Sequence, residues 1–181
     1  MNTLLGKLAL VAAVAGMVLL GWGLWPPPRH AYAAELGPAR VVFTVPTAMH
    51  LGDALVARLE VFPATASPSP DASNAPPLRQ MAARLTFNGV QVEPPGEVDL
   101  TLGQKAPARL TWRLKALAVG DDVGSFWMYQ VFPDGSRRAR LSYPLHLQVS
   151  TFMGLSSSEA RLLGLFAVFV AAVLAFAARR Q

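Results

Sequence analysis

The chain has 181 residues, no cysteine, 16 Lys/Arg against 11 Asp/Glu, and a formal net charge of +5. The absence of thiols excludes disulfides, iron–sulfur clusters, thiolate zinc sites and thiol nucleophiles. The charge does not describe a nucleic-acid partner. Residues 31–158 hold 11 basic and 10 acidic side chains, and the excess lies at Lys7, Arg29, Arg161, Arg179 and Arg180, all flanking apolar runs.

The first run, residues 8–25, is apolar or Gly without a break. A bilayer core of about 30 Å needs roughly 20 such residues in a helix, with a lower limit near 17. Residues 1–28 are therefore expected to form a transmembrane helix or uncleaved signal anchor. Trp22 and Trp25 fall where an aromatic belt would lie, and Pro26, Pro27 and Pro28 stop the helix. A cleaved signal peptide is the competing reading, with a small-x-small site at Ala31, Tyr32 and Ala33 and cleavage after Ala33. The run is longer than an ordinary signal core of about 7–15 residues, which favours retention.

Residues 29–155 alternate apolar and polar in seven runs, at 41–45, 55–61, 84–87, 98–102, 109–115, 127–131 and 141–149. Period-2 alternation buries one face of a strand. With Gly, Pro and Asp between the runs, this predicts an all-β domain: an antiparallel β-sandwich, immunoglobulin- or fibronectin-like, of about seven strands. Asn88-Gly89 and 133–136 read as turns. Asp121-Asp122 reads as a solvated turn between glycines. Pro144 marks an edge strand or a bulge, because it cannot donate to a ladder. Residues 63–77, rich in Pro, Ser and Ala with no large apolar side chain, read as a mobile loop.

Residues 156–181 are expected to be a second transmembrane helix with a short basic tail. Ser156 and Glu159 fit a capping box, and 162–178 are apolar or Gly. Arg179 and Arg180 favour a cytoplasmic C-terminus. The β domain is then outside the cytoplasm, and both termini are cytoplasmic if the first helix is retained. Ala167, Ala171 and Ala175 on the second helix, and Ala12 and Gly16 on the first, are the helix-packing candidates, since small residues four apart let backbones approach. Neither span carries an ionisable residue at its centre, which argues against an ion or proton path.

Chemistry-bearing clusters are sparse. Met49 and His50 are soft ligands that suit copper, but no His-x-His or methionine cluster accompanies them. No nucleophile elbow is present, and no enzyme activity, cofactor or metal is expected. In 126–132, if Trp127, Tyr129 and Val131 face the core, then Phe126, Met128 and Phe132 face outward as a partner-contact patch. The sequence thus describes a membrane-anchored, non-catalytic interaction module, an accessory subunit, scaffold or assembly factor. Its partners would be the lipid bilayer and integral membrane proteins. The alternative is an extracytoplasmic carrier of copper or a small ligand.

Overall fold

The computed structural model describes residues 2–36, 39–63, 80–103 and 107–180. The 63–77 loop lies outside them, apart from Pro63. The chain divides into two compact units: one of Met1–Pro26, His50–Asp53 and Ser150–Gln181, the other of Pro27–Met49 and Ala54–Val149.

The second unit is built on a β-sandwich, as expected from the alternation. The chain contributes ten strands: β1 (Arg29–Leu36), β2 (Ala39–Pro46), β3 (Ala48–His50), β4 (Ala54–Phe62), β5 (Gln80–Phe87), β6 (Val90–Glu93), β7 (Glu97–Thr101), β8 (Ala108–Ala116), β9 (Gly120–Val131) and β10 (Arg137–Ser150). They form two five-stranded sheets, β1-β2-β4-β8-β6 and β3-β10-β9-β5-β7. Strands β1, β3 and β6 have no counterpart among the seven predicted runs. Strand β1 reads Arg-His-Ala-Tyr-Ala-Ala-Glu-Leu, poor in β-branched residues. Its form comes from pairing with β2 along its whole length, Arg29 opposite Pro46 through Leu36 opposite Ala39.

Aromatic rings from both sheets fill the core. Phe43 of β2 stacks on Phe126 of β9 at 4.1 Å between centroids, and Trp112 of β8 stands edge-on to both at 6.2 Å. All three are fully buried. Such edge-to-face and offset contacts add to the area they bury. The parity of β9 is the reverse of the sequence reading. Phe126 and Met128 are fully buried, whereas Trp127 is 36% exposed. Phe126 faces Leu85 of β5 and Tyr143 of β10 in register, and Met128 faces Ala83 and Leu141.

Two polar residues share that inward parity, and each is satisfied. Asp122, buried, accepts from the backbone N–H groups of Asn88 (3.2 Å) and Gly89 (2.9 Å). Asp121 and Asp122 are thus the start of β9, not the solvated turn expected of them. The turn itself lies before Gly120. Gln130, also buried, accepts from Arg140 Nε (3.0 Å) and Nη2 (2.6 Å). The β9–β10 register slips between Ala139 and Leu141, so Arg140 is the extra residue of a bulge. Pro144 lies away from that bulge, opposite Ser125. Strand β3 has three residues, and Gln148 N–H bonds the Thr47 carbonyl beside it. Pro144 therefore sits on a stretch of β10 that β3 does not reach, as an edge position requires.

The 132–136 turn closes on Asp134. Its carboxylate accepts from the Ser136 hydroxyl (2.6 Å) and backbone N–H (2.9 Å), which hold its pKa below the ordinary aspartate value. Gly135, at φ 79, takes the left-handed position such a turn needs.

The inward placement of Phe126 has a direct test in unfolding of the full chain in detergent. Phe126→Ala is expected to cost about 3–5 kcal/mol, as for large-to-small changes in a packed core. Trp127→Ala is expected to cost less than about 1 kcal/mol, in line with surface substitutions. Equal losses from the two variants would contradict this parity.

Candidate functional site

The first unit is a helical hairpin. Helix α1 covers Asn2–Leu24 and α2 covers Ser157–Arg180. Both are long and apolar enough to cross a bilayer. Helix α2 begins at the expected capping box. Ser156 N–H donates to Glu159 Oε2 at 2.8 Å, and Glu159 N–H donates to Ser156 Oγ at 3.3 Å. Two of the orphan donors at the helix start are thereby satisfied.

Glycines set how closely the helices approach. A Cβ on Gly16 would lie 2.8 Å from the Gly164 carbonyl oxygen and 2.8 Å from Val168 Cγ2. One on Gly164 would lie 3.0 Å from the Gly16 oxygen and 2.8 Å from Leu20 Cγ. One on Gly23 would lie 2.9 Å from Arg161 Cγ. A side chain at Gly16 or Gly164 would drive the backbones apart, and one at Gly23 would displace the Arg161 side chain. Of the packing candidates, Gly16 and Ala171 are buried, Ala12 and Ala167 are half-buried, and Ala175 is exposed. Gly164 escapes an alanine-based reading, yet it lies four residues after Ala160 and seven before Ala171, both buried. The buried positions Ala9, Gly16 and Gly23 on α1 recur every seven residues, the spacing of a coiled-coil seam.

The hairpin's head is tied by a charged clamp. Asp53, with its side chain 14% exposed, accepts the Ser157 hydroxyl and lies 3.3 Å from Arg161 Nη2. Arg161 Nε donates to the Gly23 carbonyl at 2.7 Å. That bond satisfies one of the orphan acceptors at the end of α1. His50 Nδ1 is 3.4 Å from Asp53 Oδ2, inside ion-pair range but without hydrogen-bond alignment. The His50 ring packs on Trp22 at 4.1 Å, and Trp22 in turn meets Phe152 at 5.5 Å. Leu51 and Ser157 add backbone bonds, Leu51 N–H to Ser150 O (3.0 Å) and Ser157 N–H to Leu51 O (3.2 Å). Serine, histidine and aspartate are thus close together, but the serine proton is directed to the carboxylate. A nucleophile needs its base on that proton. The arrangement is that of a structural clamp: one carboxylate gathers a hydroxyl, a guanidinium and an imidazole. Nothing in the local sequence announces Asp53, which is separated by 104 and 108 residues from Ser157 and Arg161.

Phe126 and Met128 are core residues and present no contact surface, while Phe132 is half-buried. The outward side of β9 carries Trp127, its Nε1 donating to Ser125 Oγ at 3.1 Å, and Tyr129, whose ring lies nearly parallel at 6.4 Å. Met49 is 1% exposed, whereas the His50 ring lies beside Asp53 and Trp22. A groove of about 400 Å³ in the second unit is lined by His30, Tyr32, Asp121 and His146, among others. Among the described residues, no group of three His, Cys, Asp or Glu could hold a metal ion.

No family model matches the chain, and no curated protein does. Among solved structures, the chain is similar to WR4, a C. elegans MSP family member, at 8% identity and TM-score 0.38, over 58% of this chain and 94% of that one. It is also similar to a PapD-like domain of human CEP192 at 8% identity and TM-score 0.35, over 71% and 94%. A chain of the human complex of zinc α2-glycoprotein with prolactin-inducible protein is similar at 11% identity and TM-score 0.36, over 67% and 93%.

The close helix contact is expected to reject bulk at one glycine and tolerate it at another. Gly164→Leu should lower the stability of the detergent-solubilised chain by about 1–3 kcal/mol, the usual cost of overpacking. Gly6, with nothing within 4 Å of a built Cβ, should accept leucine without loss. A thermal melt of both variants decides this; equal melting points would contradict the glycine contact.

Proposed function

We propose that the protein is a membrane-anchored, non-catalytic interaction module, an accessory subunit, scaffold or assembly factor of a membrane complex. Its sandwich is held outside the cytoplasm and both termini lie inside. The observation that carries this reading is the helical hairpin. Its helices lock together through glycines and a clamp, yet only 11% and 17% of their apolar windows are buried. The rest of that surface, including Leu162, Phe166, Phe169 and Val173 on α2, needs lipid or the helices of a partner. Arg179 and Arg180 at the end of α2 favour the cytoplasmic side. On the sandwich, the contact surface moves from the buried Phe126 and Met128 to Trp127 and Tyr129, residue types that dominate binding hot spots.

The contacts of α1 and β1 support retention of α1, and with it a double span. Cleavage after Ala33 would remove Arg29 to Ala33 from β1, together with the Tyr32 ring that stacks on Tyr143 at 4.7 Å. It would also remove the partner of Gly164 and the carbonyl that Arg161 caps.

Purification of the tagged chain from its native membrane in mild detergent, with mass spectrometry of all that accompanies it, tests the reading. The expected result is a stoichiometric complex with a larger membrane protein, weakened by Trp127→Ala, and a chain whose intact mass includes α1. A protein that runs alone, or begins at Ala34, would contradict it.

A further inference from the structure

The short turn at 152–155 places an apolar side chain where water gives it nothing. Phe152 and Leu155 pair across it, Phe152 N–H to Leu155 O at 3.2 Å and Leu155 N–H to Phe152 O at 2.9 Å. Both central residues have positive φ, Met153 at 52° and Gly154 at 83°. A two-residue turn of this kind normally takes Asn, Asp or Gly at both positions, because a Cβ is disfavoured there. Gly154 meets the requirement; Met153 does not. Met153 is nonetheless 90% exposed and so makes little packing contact that could offset its backbone. Among the described non-glycine residues it alone has positive φ.

We propose that the 152–155 turn is a membrane-interface anchor, with Met153 entering the boundary between lipid headgroups and acyl chains. The proposal rests on the membrane-spanning reading of the two helices. Four observations place the turn at that depth. Phe152 rests against Trp22, in the last turn of α1. The span Leu4–Leu24 has 21 residues, about 31 Å of helix, close to the roughly 30 Å core of a bilayer. Its Trp22 end therefore reaches the interface when the helix spans. Leu24 and Trp25, just beyond, are 65% and 70% exposed, and would share the same layer. Finally, residues 150–158 carry no charged side chain, so nothing in the turn resists entry into the interface. Immersion there removes Met153 from water and gives its exposed apolar surface a partner.

The chain has no cysteine, so single labels can be placed without background. Met153→Cys, Val18→Cys and Arg138→Cys would each carry an environment-sensitive fluorophore on the full chain, reconstituted in phosphatidylcholine–phosphatidylglycerol vesicles. Quenching by shallow and deep spin-labelled lipids is compared with quenching by aqueous iodide. The expected result is shallow-lipid quenching and iodide protection at 153, deep-lipid quenching at 18, and iodide quenching alone at 138. Iodide quenching alone at 153, with deep-lipid quenching at 18, overturns the anchor while leaving the spans intact; a protein partner would then be the cover for Met153. Loss of deep-lipid quenching at 18 removes the spanning reading and the anchor with it.

Discussion

The approach of two helix backbones at Gly16 and Gly164 is the constraint on which the first unit depends. Each glycine would place a Cβ within 3.0 Å of the other's carbonyl oxygen, so the contact exists only because neither has one. In hydrocarbon, apolar side chains gain nothing by leaving lipid for each other, and helix association relies on close packing and interhelical polar contacts. Both are present here. The glycines bring the backbones together, and at the Trp22 end Asp53, Ser157 and Arg161 join the 50–53 turn to α2, while Arg161 caps Gly23 of α1. A carboxylate as little exposed as Asp53 is costly unless it finds its complement, and Arg161, half-exposed, supplies it. Ser157 and the Gly23 carbonyl take further bonding capacity.

The second unit solves a different problem with similar economy. Its core centres on three aromatic rings shared between two sheets, and the two buried polar side chains described there, Asp122 and Gln130, each meet specific donors. Asp122 is held by two backbone N–H groups, and Gln130 by an arginine that a bulge delivers. Bulges reposition side chains in this way throughout β structure. Here the bulge and the buried glutamine belong to one device, since Arg140 is the residue without a register partner.

Those same two residues explain where the sequence misleads. In 126–131 both alternations are largely apolar, and Gln130 makes the set Phe126, Met128 and Gln130 look outward. The parity is decided by neighbours across the sheet and by Arg140, ten residues away, neither of which periodicity can see. Strands such as β2, β4 and β8 are legible because their polar faces are unambiguous: Arg58 opposes Thr44 and Thr111, and Glu60 pairs with Arg109 at 3.1 Å. The capping box at Ser156 and Glu159 is legible because it is local. Strand β1, with alanines at 31, 33 and 34, is shaped by β2. Gly16 is visible as a small residue in an apolar helix, but its partner Gly164 is hidden among alanines that recur at helical spacing without all facing α1. Asp53 is illegible for the plainest reason: its hydrogen-bond partners, Ser157 and Arg161, are 104 and 108 residues away.

The close approach of Gly16 and Gly164 is the claim to test most directly. A cysteine pair at the contact itself would need a side chain on a glycine that has no room for one, so the contact is read by a double-variant cycle in thermal unfolding of the full chain in detergent. Gly16→Ala and Gly164→Ala each place a Cβ within 3.0 Å of the other glycine's carbonyl oxygen, so both strain the same contact. Each alone should lower stability by about 1–3 kcal/mol, and the two together should lose clearly less than the sum, as neighbouring positions do. Strictly additive losses, or no loss from either, would contradict the hairpin.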